Sequence, residues 1–286
     1  MNGGAPDPRR NVWRQDLAAA SLRGKVASAR FVEGGTMRVT AALAPMRASP
    51  DAARAYVSEA LYGERVEVYE RKDGWAWGQL ADDGYVGYLR LADLGENGPA
   101  PTHRVAALRS YLYPAADIKT PPRTLLSLNS PVAVEAVEGD FARLSGGVGF
   151  FIAADLAPLG EWESDFVAVA ERFLGTPYLW GGRSSLGLDC SALVQMALAS
   201  AGMACPRDSD MQAAELGAAR DPRDLDAVRR GDLIFWRGHV AIACGGGELV
   251  HANAHHMRVA REPLRYAVSR IAAAGLNVTA IRRIGG

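Results

Sequence analysis

Three cysteines in 286 residues, Cys190, Cys205 and Cys244, are too few, and odd in number, for a disulfide framework. Net charge is missing as well, with 32 Lys+Arg standing against 32 Asp+Glu. Without a basic excess there is no electrostatic pull toward nucleic acid or an anionic membrane, and neither is expected as a partner. No apolar stretch reaches the roughly 18 residues that a spanning helix requires. Near the N-terminus the one apolar run, Leu17 to Ala20, is soon interrupted by Arg23 and Lys25. It is too short for the core of a secretory signal, so the expected location is the cytoplasm. What is present is an ordinary globular composition, 49% apolar and 22% charged. The length suggests two or three domains, and the low cysteine count leaves a thiol available for chemistry.

Residues 1–35 are polar and contain Pro and Gly, with a helix expected around Gln15 to Ala29. Two similar segments follow, LYGERVEVYERKDGWAWGQLADDGYVGYLRLADLG (Leu61 to Gly95) and LLSLNSPVAVEAVEGDFARLSGGVGFFIAADLAPLG (Leu125 to Gly160). VEVYE aligns with VAVEA, DGWAWGQL with GDFARL, and GYVGYLRLADL with GGVGFFIAADL. Alternating apolar positions between Asp/Gly turns predict short strands, and self-similarity on this scale signals a duplicated module. The Asp-Gly-Trp turn and the Gly-Tyr-Val-Gly-Tyr strand make the pair resemble bacterial SH3-like domains, which implies small barrels of about five strands. Their boundaries are read as 36–97 and 101–160, with the linker GENGPAPTH between them.

Beyond Gly160 the period changes. In SDFVAVAERFLG the apolar residues 166, 167, 169, 170, 173 and 174 take helical spacing, with Ser164 as N-cap and Gly175 as stop. The Gly-rich loop TPYLWGGRSSLGLDC leads into a second helix, CSALVQMALASAGM, in which Cys190, Leu193, Val194, Ala197 and Leu198 share a face. Short strands come next: DLIFW, HVAIAC, ELVHAN and finally NVTAIRRI. Helices followed by an antiparallel run of strands give an α+β reading.

Cys190 starts a helix, where unpaired N–H groups and the helix dipole favour a thiolate and can support an oxyanion. Such a nucleophile needs a base in reach, and the base needs an orienting partner. His239 leads one strand and His251, 12 residues later, lies on the next, joined by the CGGGE turn. Two neighbouring antiparallel strands let the imidazoles meet. Asp189 reads as a cap or loop anchor rather than a base. His251, His255 and His256 form H-x-x-x-H-H, but on strand and loop, with no acidic or thiol ligand at metal spacing. Neither metal nor cofactor is therefore expected, and Cys205 and Cys244 read as bystanders. The Gly181-Gly182 and Gly245-Gly246-Gly247 stretches match no phosphate loop.

YLWGGRSSLGLDCSALV and GDLIFWRGHVAIACGGGELVHA resemble the NlpC-type papain-like peptidases that cut bacterial cell-wall peptides. The resemblance runs from Phe166 to Ile284, and residues 161–286 are read as the peptidase domain. The whole chain is then expected to be an α+β papain-like catalytic domain preceded by two small all-β SH3-like barrels. The resemblance implies Cys190 as nucleophile, His239 as base and His251 as the third member. Ala192 stands where the family usually has Gly.

In a cytoplasmic branch of that family an Asp-Ser pair holds the free amino group of an N-terminal L-alanine. This implies Asp208 and Ser209 here, with Ser209 also expected to N-cap a helix from Asp210 to Leu216. A Tyr from the first SH3-like module closes that pocket, which implies Tyr85 and an intramolecular contact between the SH3-like and catalytic domains. Tyr88 is expected in the barrel core, and Glu59 is a secondary candidate for the ammonium. Tyr178 and Trp180 are expected to line the cleft, Tyr178 near the oxyanion site.

The implied activity is that of a cysteine endopeptidase cutting the γ-D-glutamyl–diamino acid (diaminopimelate) bond in peptidoglycan recycling. Its partner is a released murein peptide, L-Ala-γ-D-Glu-diamino acid. A carboxylate left unpaired by an acylated alanine penalises peptide still attached to glycan. Two alternatives compete with it: a secreted cell-wall hydrolase acting on intact peptidoglycan, and a non-catalytic wall-binding protein.

Overall fold

The computed structural model describes residues 6–285, and the chain divides after Leu159 into two compact units. Among the described residues no helix is long and apolar enough to cross a membrane.

In the first unit, β1 (Gly35–Val39), β2 (Leu43–Arg47), β3 (Tyr56–Leu61), β4 (Arg65–Lys72), β5 (Trp75–Leu80), β6 (Val86–Arg90) and β7 (Leu94–Glu96) form one sheet. Its spatial order is β3-β2-β6-β5-β4-β1-β7. The alternation in β4 turns Val66 and Val68 into a core shared with Met46, Ala76, Leu80 and Leu89. Only Asp73 and Gly74 separate β4 from β5, at φ 50° and 77°. Two successive left-handed residues make the hairpin turn whose twist matches paired strands, which is the physical reason for Asp-Gly here.

Residues 103–158 repeat this plan around a separate core of Val105, Leu112, Leu126, Val132, Leu144 and Phe151. The strand His103–Val105 pairs antiparallel with Pro131–Val132 and with Leu156–Pro158, as β1 pairs with β4 and β7. Single hydrogen bonds recur too. The Asp93 carbonyl accepts from Thr40 and Ala41 N–H, and the Asp155 carbonyl accepts from Ala106 and Ala107 N–H. The duplicated backbone carries different side chains. The cross-strand pair Trp77/Tyr88 is Arg143/Phe150 in the second copy.

The helix expected around Gln15 to Ala29 is absent. That stretch holds a two-residue strand, Ala18–Ala19, paired with Phe31–Val32, and one 3-10 turn, Ala20–Leu22. Tertiary packing outweighs helical propensity here: Val12, Leu17 and Ala19 bury themselves against Trp77 and Val86. Arg14 stacks 4.1 Å over the Trp77 ring, donates to Glu70 at 2.7 Å, and donates to the Tyr88 hydroxyl. Tyr88 is therefore only half-buried and faces this segment, whereas Tyr85, 4% exposed, joins the barrel core. This reverses the expected burial of the two tyrosines.

The second unit contains α1 (Phe166–Arg172), α2 (Cys190–Ser200), α3 (Ser209–Glu215) and α4 (Leu264–Ala273). Its strands are β8 (Ala218–Arg220), β9 (Asp232–Trp236), β10 (His239–Gly245), β11 (Glu248–Asn253), β12 (Arg258–Pro263) and β13 (Ala280–Arg283). They form an antiparallel sheet in the order β8-β13-β9-β10-β11-β12. The α1 cap is Asp165 and not Ser164, because the Asp165 carboxylate accepts from the Val167 and Ala168 N–H groups. Every α2 residue except Ala199 is buried. It is thus a central helix rather than one with a single apolar face, packed against α1, β10 and β11.

Candidate active site

Cys190 is the first residue of α2, set there by Asp189. The Asp189 carboxylate accepts from Ala192 N–H at 2.9 Å, Gly181 N–H at 3.0 Å and the Ser191 hydroxyl at 3.1 Å. Arg207 closes the arrangement with bonds of 3.0 and 2.7 Å to its two oxygens. Asp189 is thus the cap and loop anchor that its position suggested. Arg207, among the largest fully buried side chains of the chain, was not singled out from sequence. Its position 18 residues after Asp189 carries no local signal.

On the sheet, Ile242 pairs with Val250, which sets His239 and His251 diagonally on one face of β10 and β11. Their rings meet, with His239 Nε2 2.9 Å from His251 Nδ1. His251 is completely buried, and its other nitrogen lies 2.8 Å from Glu262 Oε1. Ala260 sits opposite His251, so Glu262, two residues on, reaches the same face from β12. Arg270, one helix later, approaches that carboxylate at 2.5 Å. The line His239, His251, Glu262, Arg270 crosses three adjacent strands and ends on α4. Sequence reading found the first two members only, because β12 and α4 were not recognised as elements.

Electrostatics corrects one expectation. Burial pushes the Cys190 thiol up to about 12, reinforced by the Asp189 charge. The Val240 and Ser191 backbone N–H groups and the Arg207 cation pull the other way without winning. The helix N-terminus alone therefore does not produce a resting thiolate. His239 is correspondingly held down at about 3, by burial first and then by His251 and Arg270. Both groups are neutral at pH 7, a thiol beside a base strand rather than a standing ion pair. For Glu262 burial pushes up, but hydrogen bonding from His251 and Arg270 outweighs it and holds the carboxyl near 2.

Tyr178 shares this environment: burial, then the neighbouring Cys190 and Asp189, push its hydroxyl up to about 12. It stays protonated and able to donate. Trp180 is 66% exposed and not packed into the core. Asp208, not Ser209, holds the N-cap position of α3, and its carboxylate makes no capping bond. Ser209 is the first helical residue, and both are half-buried. Tyr85 and Glu59 belong to the first unit, where both are buried, Glu59 on β3.

His251, His256 and Glu262 bring one potential ligand atom each within 4.8 Å of one another. Each also has a partner outside the trio. The His251 nitrogens face His239 and Glu262, while His256 Nδ1 lies 3.0 Å from Asn253 Oδ1. The Arg270 cation already neutralises Glu262 and would repel a metal ion there.

Residues 175–274 match the model of the NlpC/P60 family. The chain carries an NlpC/P60 domain. Ahead of it, residues 46–94 match the bacterial dipeptidyl-peptidase Sh3 domain. The NlpC/P60 domain places the chain among the cysteine peptidases, a hydrolase class. Curated relatives include the gamma-D-glutamyl-L-lysine dipeptidyl-peptidase of Bacillus subtilis (strain 168), 27% identical over 68% of this chain and 71% of that one. Dipeptidyl-peptidase 6 of Lysinibacillus sphaericus is 28% identical over 75% of this chain and 86% of that one. Among solved structures, an NlpC/P60 family protein from Bacillus cereus ATCC 10987 superposes with a TM-score of 0.73 at 20% identity. It covers 87% of this chain and 99% of its own, which establishes the fold: an α+β papain-like domain preceded by SH3-like β structure.

Proposed function

We propose that the protein is a cysteine endopeptidase that hydrolyses the γ-D-glutamyl–diamino acid bond of released murein peptides. The observation that carries the reading is the contact of half-buried His239 with fully buried His251 on the strands that also bring Val240 N–H to Cys190. Cys190 is the nucleophile. As its sulfur bonds to the scissile carbonyl carbon, its proton passes to His239, which then protonates the leaving amine of the diamino acid. The α2 N-terminus receives charge that develops on the carbonyl oxygen, with the Tyr178 hydroxyl as a further donor. Water then hydrolyses the acyl-enzyme with His239 as base. Neutral resting partners mean that charge separation occurs only when substrate fills the site.

The name of the Bacillus subtilis relative supports a γ-D-glutamyl specificity. A free N-terminal L-alanine is recognised by Asp208 and Ser209. The same reading places the enzyme in cytoplasmic recycling, working on free peptide. The test is mass spectrometry of digests of L-Ala-γ-D-Glu-diaminopimelate, its lysine counterpart, and the N-acetylated form of each. Cleavage of the free-amine peptides, abolished in C190A, is the expected result. Equal cleavage of acetylated peptides would overturn the ammonium pocket, and uncut free peptides would overturn the activity. Release of peptide from intact peptidoglycan sacculi would favour a wall hydrolase.

A further inference from the structure

We infer that Glu262 is a positioning residue that fixes the proton pattern of both histidines, so that His239 presents an unprotonated Nδ1 to the nucleophile. The inference rests on the proposed roles of Cys190, His239 and His251, and extends them by one residue outside the triad.

The logic follows from counting protons along the line. An ionised carboxylate only accepts hydrogen bonds. Glu262 is 5% exposed and paired with the Arg270 guanidinium at 2.5 Å, which keeps it ionised. The His251 nitrogen facing it, at 2.8 Å, must therefore carry the proton. A neutral imidazole has one N–H, so His251 Nδ1 is left as an acceptor. The atom 2.9 Å from that acceptor is His239 Nε2, which must then be the donor. His239 has spent its single proton on His251, and its Nδ1 is left with a lone pair. A general base needs that lone pair.

Without Glu262 the order is not determined. His251 could donate from Nδ1 to His239 Nε2, and His239 would then carry its proton on Nδ1, the wrong side for accepting one from a thiol. Arg270 cannot substitute, since it is itself a donor. Arg270 meets the same Glu262 oxygen, Oε1, that faces His251, and so serves as its charge partner.

Nitrogen-15 NMR of the full chain labelled at histidine reads the tautomers directly. With five histidines the spectrum is tractable, and H239Q and H251Q assign the rings. In the native enzyme at pH 7.5 the expected pattern is Nε2–H on both His239 and His251. Nδ1–H on His239 would overturn the proposal whether or not the enzyme cuts peptide. In E262L the pattern is expected to become mixed, with kcat falling roughly 10- to 100-fold and KM unchanged. E262Q, whose amide oxygen still accepts from His251, is expected to restore the native pattern and most of kcat. Folded E262L with unchanged tautomers, active or not, would reduce Glu262 to a packing role and sink the inference. Should E262L fail to fold, the native pattern and the E262Q comparison still decide. Cleavage that survives in C190A would overturn the catalytic reading while leaving the tautomer measurement standing.

Discussion

Two buried arginine–carboxylate pairs flank the proposed catalytic residues, and they are built differently. Asp189 takes two backbone N–H groups and a hydroxyl besides Arg207, which itself also donates to the Gly182 carbonyl. Its task is to fix backbone: the Gly-rich loop, the start of α2, and with them the thiol. Glu262 is held by two side chains, His251 and Arg270, and its second oxygen has no hydrogen-bond partner. It fixes a proton rather than a chain path. The same ion pair therefore serves architecture on one side of the site and chemistry on the other.

Breaking the architectural pair has the largest expected effect. Arg207 is 1% exposed, so R207M leaves the Asp189 charge buried and short of its main partner. Removing one member of a buried pair costs about 3–5 kcal/mol. That loss should appear in the denaturant midpoint, together with loss of turnover. A drop below about 1 kcal/mol would show that the backbone donors alone satisfy Asp189, and the contrast between the pairs would collapse.

The chemical pair should reveal itself through pH. Folded His239 stays neutral down to about 3, while an unfolded histidine takes up a proton near 6.5. Between those values the unfolded chain binds more protons, so stability is complete above 6.5 and falls as pH drops. Folded Glu262 keeps its charge to about 2, whereas the unfolded carboxyl protonates near 4.5, so a further loss begins below 4.5. H239Q is expected to flatten the upper limb of a stability–pH curve, and E262Q only the lower. If both variants flattened one limb, the two groups would titrate as a unit and Glu262 would not be separable from the histidines.

These pairs also mark how far the sequence could be read. Cys190 and the two histidines were legible because local signals announce them: a Gly-rich loop before a helix, and two strands joined by a Gly turn. The Asp73-Gly74 turn was legible for the same reason. Arg207 and Glu262 were not, because the partner of each is remote in sequence and fixed only by strand register and helix docking. Tyr85 and Tyr88 exchanged burial because residues 12–19, which run into the stretch read as a helix from Gln15, pack instead on the outside of the first barrel and meet Tyr88 there.

That outer contact supplies a third arginine–carboxylate pair, Arg14 with Glu70, and the smallest expected effect. Both side chains remain about one-fifth exposed. Water screens their attraction, so the ion pair itself contributes little. What distinguishes Arg14 is its stacking on Trp77, a contribution of about 0.5–1 kcal/mol at a partly solvated site. R14A is therefore expected to lower the denaturant stability of the first unit by about 1 kcal/mol and to leave the catalytic tautomers unchanged. R14K keeps the charge but loses the planar face, and should recover less than half of the difference. Full recovery by lysine would mean that charge rather than stacking holds residues 12–19 to the barrel. The second module, with Arg143 where the first has Trp77, has no counterpart of this ring. The stacking explanation thus accounts for why the N-terminal segment settles on the first copy of a duplicated backbone, and a purely electrostatic one would not.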